Sequence, residues 1–310
     1  MGDSKKLYGL LSYETINIGD EIQSLAARNF LPRIDVLLDR DHLNKVKSNK
    51  KIKLIMNGWF TEKPWNWPPS SDIKPLFVSF HISEKSISNM TSKKSIEYLK
   101  KYEPIGCRDY HTRDLLIKNG VKAYFSGCMT LTLQRKMSKR SDEILLVDLN
   151  LAGINLKDLP LDLLKKSKVL SHKTFDMDTK NMRVKKLRGR TKRLINPIYR
   201  LIVGSKRDNI KRFNLAKEYL KRYARAKLVI TSRIHCALPC LAFGTPVIFV
   251  HKNLKDPRFE GLKDYLRCYT PEEFKNKINE IGWNNPLPNP KSIKRLRNNL
   301  INTVEEFIQS

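Results

Sequence analysis

LVITSRIHCALPCLAFGTPVIFV, residues 228–250, packs a strand, a helix and a second strand into one run. Leu228 to Thr231 is apolar and of strand length, and it runs into Ser232-Arg233-Ile234-His235. Cys236 to Phe243 continues as a helix that Gly244 stops, and Val247 to Val250 is the next strand. A strand, a crossover helix and a strand make a parallel pair. Upstream, strands are predicted at Leu7–Tyr13, Lys51–Asn57, Leu76–Ile82, Pro104–Arg108, Ala123–Ser126, Glu143–Asn150 and Val169–Phe175. Helices fall between them: one that Asp20 can cap, with Ile22, Leu25 and Ala26 at helical spacing, then Ser92–Tyr102, His111–Asn119 and Phe213–Ala226. Pro64 to Pro75 is too rich in proline and serine for regular structure. The cycle breaks near residues 135–142 and then restarts.

This pattern predicts an α/β protein of two Rossmann-like, doubly wound domains facing a cleft. The first spans residues 1–138 and the second 139–290, with a helix in 291–310 packing across both. A length of 310 residues suits two domains, and 40% apolar residues suffice for a sizeable core. Against that ordinary background, 60 Lys+Arg face 31 Asp+Glu, a net charge of +29. Such a field attracts anions of any kind, from nucleic acid to anionic lipid to a phosphorylated substrate.

Several classes are set aside. No apolar run reaches the length of a membrane span, and Ala237–Val250 is short and interrupted by Pro239 and Pro246. The N-terminus lacks the apolar core of a signal peptide, and Lys6 stands where a myristoylation motif needs Ser or Thr. Cys107, Cys128, Cys236, Cys240 and Cys268 fit no disulfide framework, so free thiols in a reducing, cytoplasmic setting are expected. Cys236 and Cys240 share a helix face without a second ligand pair, so no metal site is expected. No nucleic-acid module with stacking aromatics is present, and no specific nucleic acid is expected. Residues 183–212 form a basic insertion interleaved with apolar residues. It reads either as a solvated face or as a surface for polyanions or an anionic membrane, which would place the protein peripherally at the inner membrane face.

The chemistry concentrates at strand ends, where open α/β sheets hold ligands. Ser232-Arg233-Ile234-His235 sits between a strand and a helix N-terminus, whose free N–H groups and dipole suit an anion. Arg233 offers a fork for carboxylate or phosphate, and His235 can move a proton near neutral pH. Arg108-Asp109 stands before the helix at Thr112, with Arg108 either an exposed surface charge or a ligand group, and Asp109 either capping that helix or holding an arginine. Asn17, Gly19 and Asp20 form a tight loop in which Gly19 permits close backbone approach. Asn57-Gly58-Trp59 reads as the loop that ends one strand and His81 ends another; Asn57, Trp59 and His81 are either core residues or groups that face a ligand.

Together these motifs resemble the polysaccharide pyruvyl transferase family. The carrying residues are Asn17, Gly19 and Asp20; Arg108-Asp109, Thr112, Leu115 and Gly120; and Ser232-Arg233-Ile234-His235 with Gly244-Thr245-Pro246. The resemblance implies a fold like that of the two-domain B-type glycosyltransferases. It implies transfer of pyruvate from phosphoenolpyruvate, a co-substrate with no further cofactor, to the hydroxyls of a free or lipid-linked sugar or glycan. The product is a ketal and phosphate is released. By that similarity Arg108, Arg233 and His235, with the backbone at Ile234 alongside, surround the donor, and Ser232 is a further substrate-binding candidate. Their place at strand ends of the first domain puts Asn17, Asp20, Asn57, Trp59 and His81, with Gly19 beside them, on the acceptor side. Two other readings compete: a nucleotide-sugar glycosyltransferase of similar fold, and a non-catalytic basic protein that binds polyanions. The basic stretch 183–212 departs from the expected core of the family.

Overall fold

The computed structural model describes residues 6–136, 139–173 and 205–310. The basic run at 183–204 falls outside them. The N-terminal sheet is built from β1 (Leu7–Ser12), β2 (Val36–Asp39), β3 (Ile52–Phe60), β4 (Ile73–Ile82), β5 (Ile105–Cys107) and β6 (Ala123–Phe125). Its order is β2-β1-β3-β4-β5-β6, parallel throughout. The C-terminal sheet holds β7 (Ile144–Val147), β8 (Ser167–Leu170), β9 (Leu228–Thr231), β10 (Val247–Val250) and β11 (Arg267–Tyr269). Its order is β11-β10-β9-β7-β8, again parallel. The helices are α1 (Gly19–Arg28), α2 (Ile87–Met90), α3 (Lys93–Lys100), α4 (Tyr110–Lys118), α5 (Leu161–Lys165), α6 (Ser205–Arg225), α7 (Ile234–Phe243), α8 (Pro271–Lys277) and α9 (Lys294–Gln309). Two parallel α/β sheets are therefore what the alternating pattern produces. None of the described helices is long and apolar enough to cross a membrane.

The apolar residues explain how the sheets are joined. One core covers the outer face of the N-terminal sheet, with Leu54, Phe77 and Leu99 at its centre. Another, around Leu146, Ile230 and Phe274, covers the outer face of the C-terminal sheet. The third runs between the two, from Leu10 and Ile22 through Met129 to Val229, Leu238 and Val304. Helix α1 lies inside it and buries nearly every side chain from Gly19 to Ala27. An interface that continuous and apolar resists hinge motion, so the cleft above it is preformed.

Helix α7 is the element that points into the cleft, and its far end is firmly closed. Gly244 takes φ +63°, the left-handed turn that ends a helix without a Cβ clash. The last carbonyls are then taken by two arginines. Arg140 donates to Phe243 O at 3.1 Å and Gly244 O at 2.8 Å, and Arg297 of α9 donates to Ala242 O at 2.5 Å. Cations at a helix C-terminus also oppose its dipole favourably. From the other side, Lys53 of β3 donates to Phe307 O at 2.7 Å, tying the end of α9 to the N-terminal sheet.

Several local expectations are corrected. Asn57-Gly58-Trp59 is not a loop: β3 continues through it to Phe60, with a register shift between Met56 and Gly58 and φ +101° at Gly58. The glycine gives the backbone that kink, which is why the sequence reads as a turn. Pro75 lies inside β4, which starts at Ile73, and Pro64–Asn66 is a single 3₁₀ turn. Asp20 does not cap α1; its carboxylate instead accepts from Thr15 Oγ1 at 3.1 Å and Gln23 Nε2 at 3.3 Å. Strands β2 and β11 were not anticipated. At the C-terminal end of the basic run, Arg212 is not a solvated charge. It belongs to α6 and pairs with buried Glu21 of α1 at 2.8 Å, and also donates to Tyr13 O. Burial first, then Asp20, pushes the Glu21 carboxyl up to about 7 against the pull of Arg212.

Candidate active site

Both sheets turn the carboxyl ends of their strands toward one cleft of about 360 Å³. Its floor is the β9–α7 turn. Ser232 N–H donates to Val147 O at 3.2 Å, and Ser232 Oγ donates to Asp148 O at 2.5 Å. Arg233 donates through Nε to Asp148 Oδ2 at 2.6 Å. Asp148 follows β7 with φ +52°, a left-handed conformation that aspartate tolerates better than most residues. That turn brings its carboxylate to both Arg233 and the His172 N–H, 3.0 Å away. Burial would raise the Asp148 carboxyl, but Ser171, Arg233 and the His172 amide outweigh it and hold it below its ordinary value. Arg233 is thus oriented by a carboxylate before any ligand arrives.

The opposite wall comes from the N-terminal sheet: Thr15, Asn17 and Asp20 after β1, Trp59 from β3, and Arg108 after β5. Arg108 is 2% exposed, so it is not the surface arginine that one sequence reading allowed. Its N–H donates to Phe80 O at 2.9 Å, and its Nε lies 3.6 Å from Asp109 without a hydrogen bond. Asp109 does cap α4, accepting from Thr112 N at 2.9 Å, and also binds His81 Nδ1 at 2.6 Å. The loop after β10 completes the cleft with His251, Arg258 and Phe259.

His235 sits where the two halves meet. A Cβ on Gly19 would fall 3.0 Å from His235 Nδ1 and 3.2 Å from Asn17 Oδ1, so only glycine lets the α1 loop lie this close to the ring. Asn17 Oδ1 accepts from Gly19 N at 3.0 Å and fixes that loop. Burial first, and then the charge of Arg108, hold His235 well below the ordinary histidine range. His235 Nε2 and Arg108 Nε are both buried without a hydrogen-bond partner. Buried polar groups left unpaired cost free energy, and these two belong to residues on the two sides of one cleft.

Of the candidates read from the sequence, the structure places Ser232, Arg233, Ile234, His235, Arg108, Asn17, Asp20 and Trp59 on this cleft, with Gly19 against His235. Asn57 is not on it: it is 1% exposed and donates to Gln23 O at 3.2 Å, bracing β3 against α1. His81 walls a neighbouring hollow instead. Asp148, His172, His251 and Arg258 were missed. His251 directly follows a predicted strand, a position that strand-end logic could have flagged. A more open groove of about 650 Å³ lies at the amino ends of β7 and β8, but Lys168, Lys227 and Lys166 are already paired there with Glu143, Asp142 and Asn284.

A family model described as polysaccharide pyruvyl transferase matches residues 17–250. The chain belongs to that family. The matched span includes the Asn17 loop, Arg108 and the Ser232–His235 turn, and it stops before Arg258. Family membership implies a pyruvyl transferase with a glycan acceptor. No curated protein matches the chain. Among solved structures, a functionally uncharacterised protein of Klebsiella pneumoniae is 12% identical, with 84% of this chain and 88% of that chain covered and a TM-score of 0.44. WaaG, a glycosyltransferase involved in lipopolysaccharide biosynthesis, is also 12% identical, with 99% and 95% covered and a TM-score of 0.33.

The pair at His81 also affects stability. Burial, followed by Arg108, lowers the His81 pKa from 6.5 to about 4, although Asp109 opposes the shift. The folded ring stays neutral where the unfolded ring takes a proton. His81 therefore contributes stability that is present above 6.5 and is lost as pH falls toward 4, by about 3 kcal/mol for a shift of this size. Denaturant midpoints of His81→Gln are expected to flatten over that window relative to wild type. Identical slopes would remove His81 as the cause.

Proposed function

We propose that this pyruvyl transferase takes its group from phosphoenolpyruvate and closes it as a ketal on two hydroxyls of a sugar. The observation that carries this reading is the pair of unpartnered nitrogens, Arg108 Nε and His235 Nε2, on residues from the two sides of the cleft, beside a helix N-terminus. Phosphoenolpyruvate presents a carboxylate and a phosphate, and the cleft presents three arginines, each beside a carboxylate: Arg108 with Asp109, Arg233 with Asp148 and Arg258 with Asp256. Such pre-oriented forks suit a small, densely charged anion. His235 is neutral in the free protein; a bound trianion offsets Arg108 and Arg258 and favours the imidazolium. The ring can then protonate the methylene carbon of the donor, leaving positive charge at the central carbon for a hydroxyl to attack.

Trp59 stands at the acceptor side of this arrangement. It is half-buried rather than core, with Arg40 and Lys85 each 5.1 Å from its ring centroid. Trp59→Ala is expected to raise the acceptor KM well above any change in the donor KM, because stacking against a sugar face is lost while the arginines remain. A change confined to the donor KM would reverse the assignment of walls. The reading as a whole is tested by screening glycosides with phosphoenolpyruvate, following phosphate release and product mass. Phosphate release that requires no acceptor, or transfer from a nucleotide sugar instead, would overturn it.

A further inference from the structure

Beside the cleft lies a second hollow of about 320 Å³, walled by His81, Trp59, Glu84, His111, Asp256 and Arg258 among others. Trp59 and Arg258 belong to both, so the two spaces adjoin across these side chains. His81 is held as a base would be. Its Nδ1 is 2.6 Å from Asp109 Oδ2 and 3.2 Å from Thr112 Oγ1, and both pairings are buried. Burial would raise the Asp109 carboxyl, but His81, Arg108 and the Thr112 amide keep it ionised. A carboxylate can only accept, so the proton of the neutral imidazole sits on Nδ1. The lone pair is then on Nε2, the ring nitrogen that Asp109 and Thr112 do not occupy, and the ring walls the second hollow. Donor binding uses Asp109 only beside Arg108 and gives His81 no part.

We propose that the second hollow seats the acceptor sugar ring against Trp59 and that His81, aligned by Asp109, takes the proton from the attacking hydroxyl. This rests on the pyruvyl-transfer reading above. In that sequence the first hydroxyl gives its proton to His81 Nε2 and its oxygen bonds the central carbon of phosphoenolpyruvate, while His235 delivers a proton to the methylene. The second hydroxyl then bonds the same carbon as the carbon–oxygen bond to phosphate breaks, and its proton leaves with the phosphate. His81 returns its proton to solvent and His235 regains one. Glu84 and Asp256 supply acceptors for the remaining hydroxyls. Two histidines thus divide the proton traffic, one on the donor side and one on the acceptor side.

The decisive variant is Asp109→Asn. Asparagine caps helices as well as aspartate does, so α4 keeps its first turn. Its oxygen must stay on the Thr112 N–H, which turns its NH2 toward His81 Nδ1. That nitrogen must then accept, and the ring proton moves to Nε2, where it blocks the base. Carbethoxylation by diethylpyrocarbonate, followed by peptide mass spectrometry, reads an accessible unprotonated nitrogen. An ordinary histidine loses about tenfold of its neutral form between pH 7.5 and 5.5. His81 in the wild-type chain is expected to react at nearly constant rate over that range, and in Asp109→Asn to slow at least tenfold. Imidazole ¹⁵N shifts should place the proton on Nδ1 in the wild type and on Nε2 in the variant. An unreactive His81, an ordinary pH dependence, or a wild-type proton on Nε2 would overturn the proposal. Neither readout uses a donor or an acceptor, so it can fail in a chain that transfers pyruvate and pass in one that does not. With any glycoside that yields phosphate in the screen, His81→Gln should lower kcat by about 10²-fold or more; an unchanged kcat would also overturn it.

Discussion

His235→Ala is expected to lower turnover by about 10² to 10⁴-fold, the usual range for removal of a general acid or base. Donor affinity should fall far less. The ring is neutral in the free protein, so its removal leaves the charge of the empty cleft unchanged, and the one hydrogen bond to a charged group that it would give the donor is worth about 1.5–3 kcal/mol. Arg108, Arg233 and Arg258 remain to hold the anion. The fold should survive as well, because α7 is anchored at its other end by Gly244, Arg140 and Arg297 and is buried from Cys236 onward. Single-turnover rates and donor affinity, at an unchanged melting temperature, separate these effects. Near-normal turnover would sink the assignment of His235 as proton carrier. Proton uptake on donor binding gives a second check: if the anion raises the pKa of His235, affinity should increase as pH falls toward its bound-state value.

Why the sequence could place His235 but not its partners is a matter of distance along the chain. Leu228–Thr231, Val247–Val250 and the turn between strand and helix are local, and their signals lie within a few residues. Gly19 was legible as a close-approach glycine, yet what it approaches, His235, lies on the other sheet. The same holds for Arg233, whose orienting carboxylate comes from Asp148 at the end of β7, and for Arg212, whose partner is Glu21 of α1. Such pairings depend on sheet order, β9 beside β7 and α6 against α1, which no local pattern encodes. Asn57 failed for the opposite reason. Its neighbour Gly58 gives a strong local turn signal, but pairing of β3 with β4 overrides it and carries the strand onward. Strand β11 is three residues, Arg267-Cys268-Tyr269, too short for a period to show.

The two arginines that were legible should separate under substitution. Arg233→Lys keeps the charge, yet donor binding is expected to weaken about ten- to a hundredfold, the equivalent of losing one hydrogen bond to a charged group. Arg233 spends its Nε on Asp148 at 2.6 Å and has two further nitrogens for the donor. A lysine ammonium is one point, and the Asp148 carboxylate will draw it back, leaving little to face the anion. Arg108→Met removes the charge at nearly constant bulk, and its effect should be different in kind. Arg108 is the strongest influence after burial in holding down both His235 and His81. Its loss should therefore weaken donor binding and also raise the titration of both rings, moving the pH–rate profile upward, while Arg233→Lys weakens binding and leaves that profile in place. Donor affinity with histidine titration by NMR tests both at once. Wild-type affinity in Arg233→Lys would show that the anion does not use the fork. Unmoved histidines in Arg108→Met would show that burial alone sets their protonation.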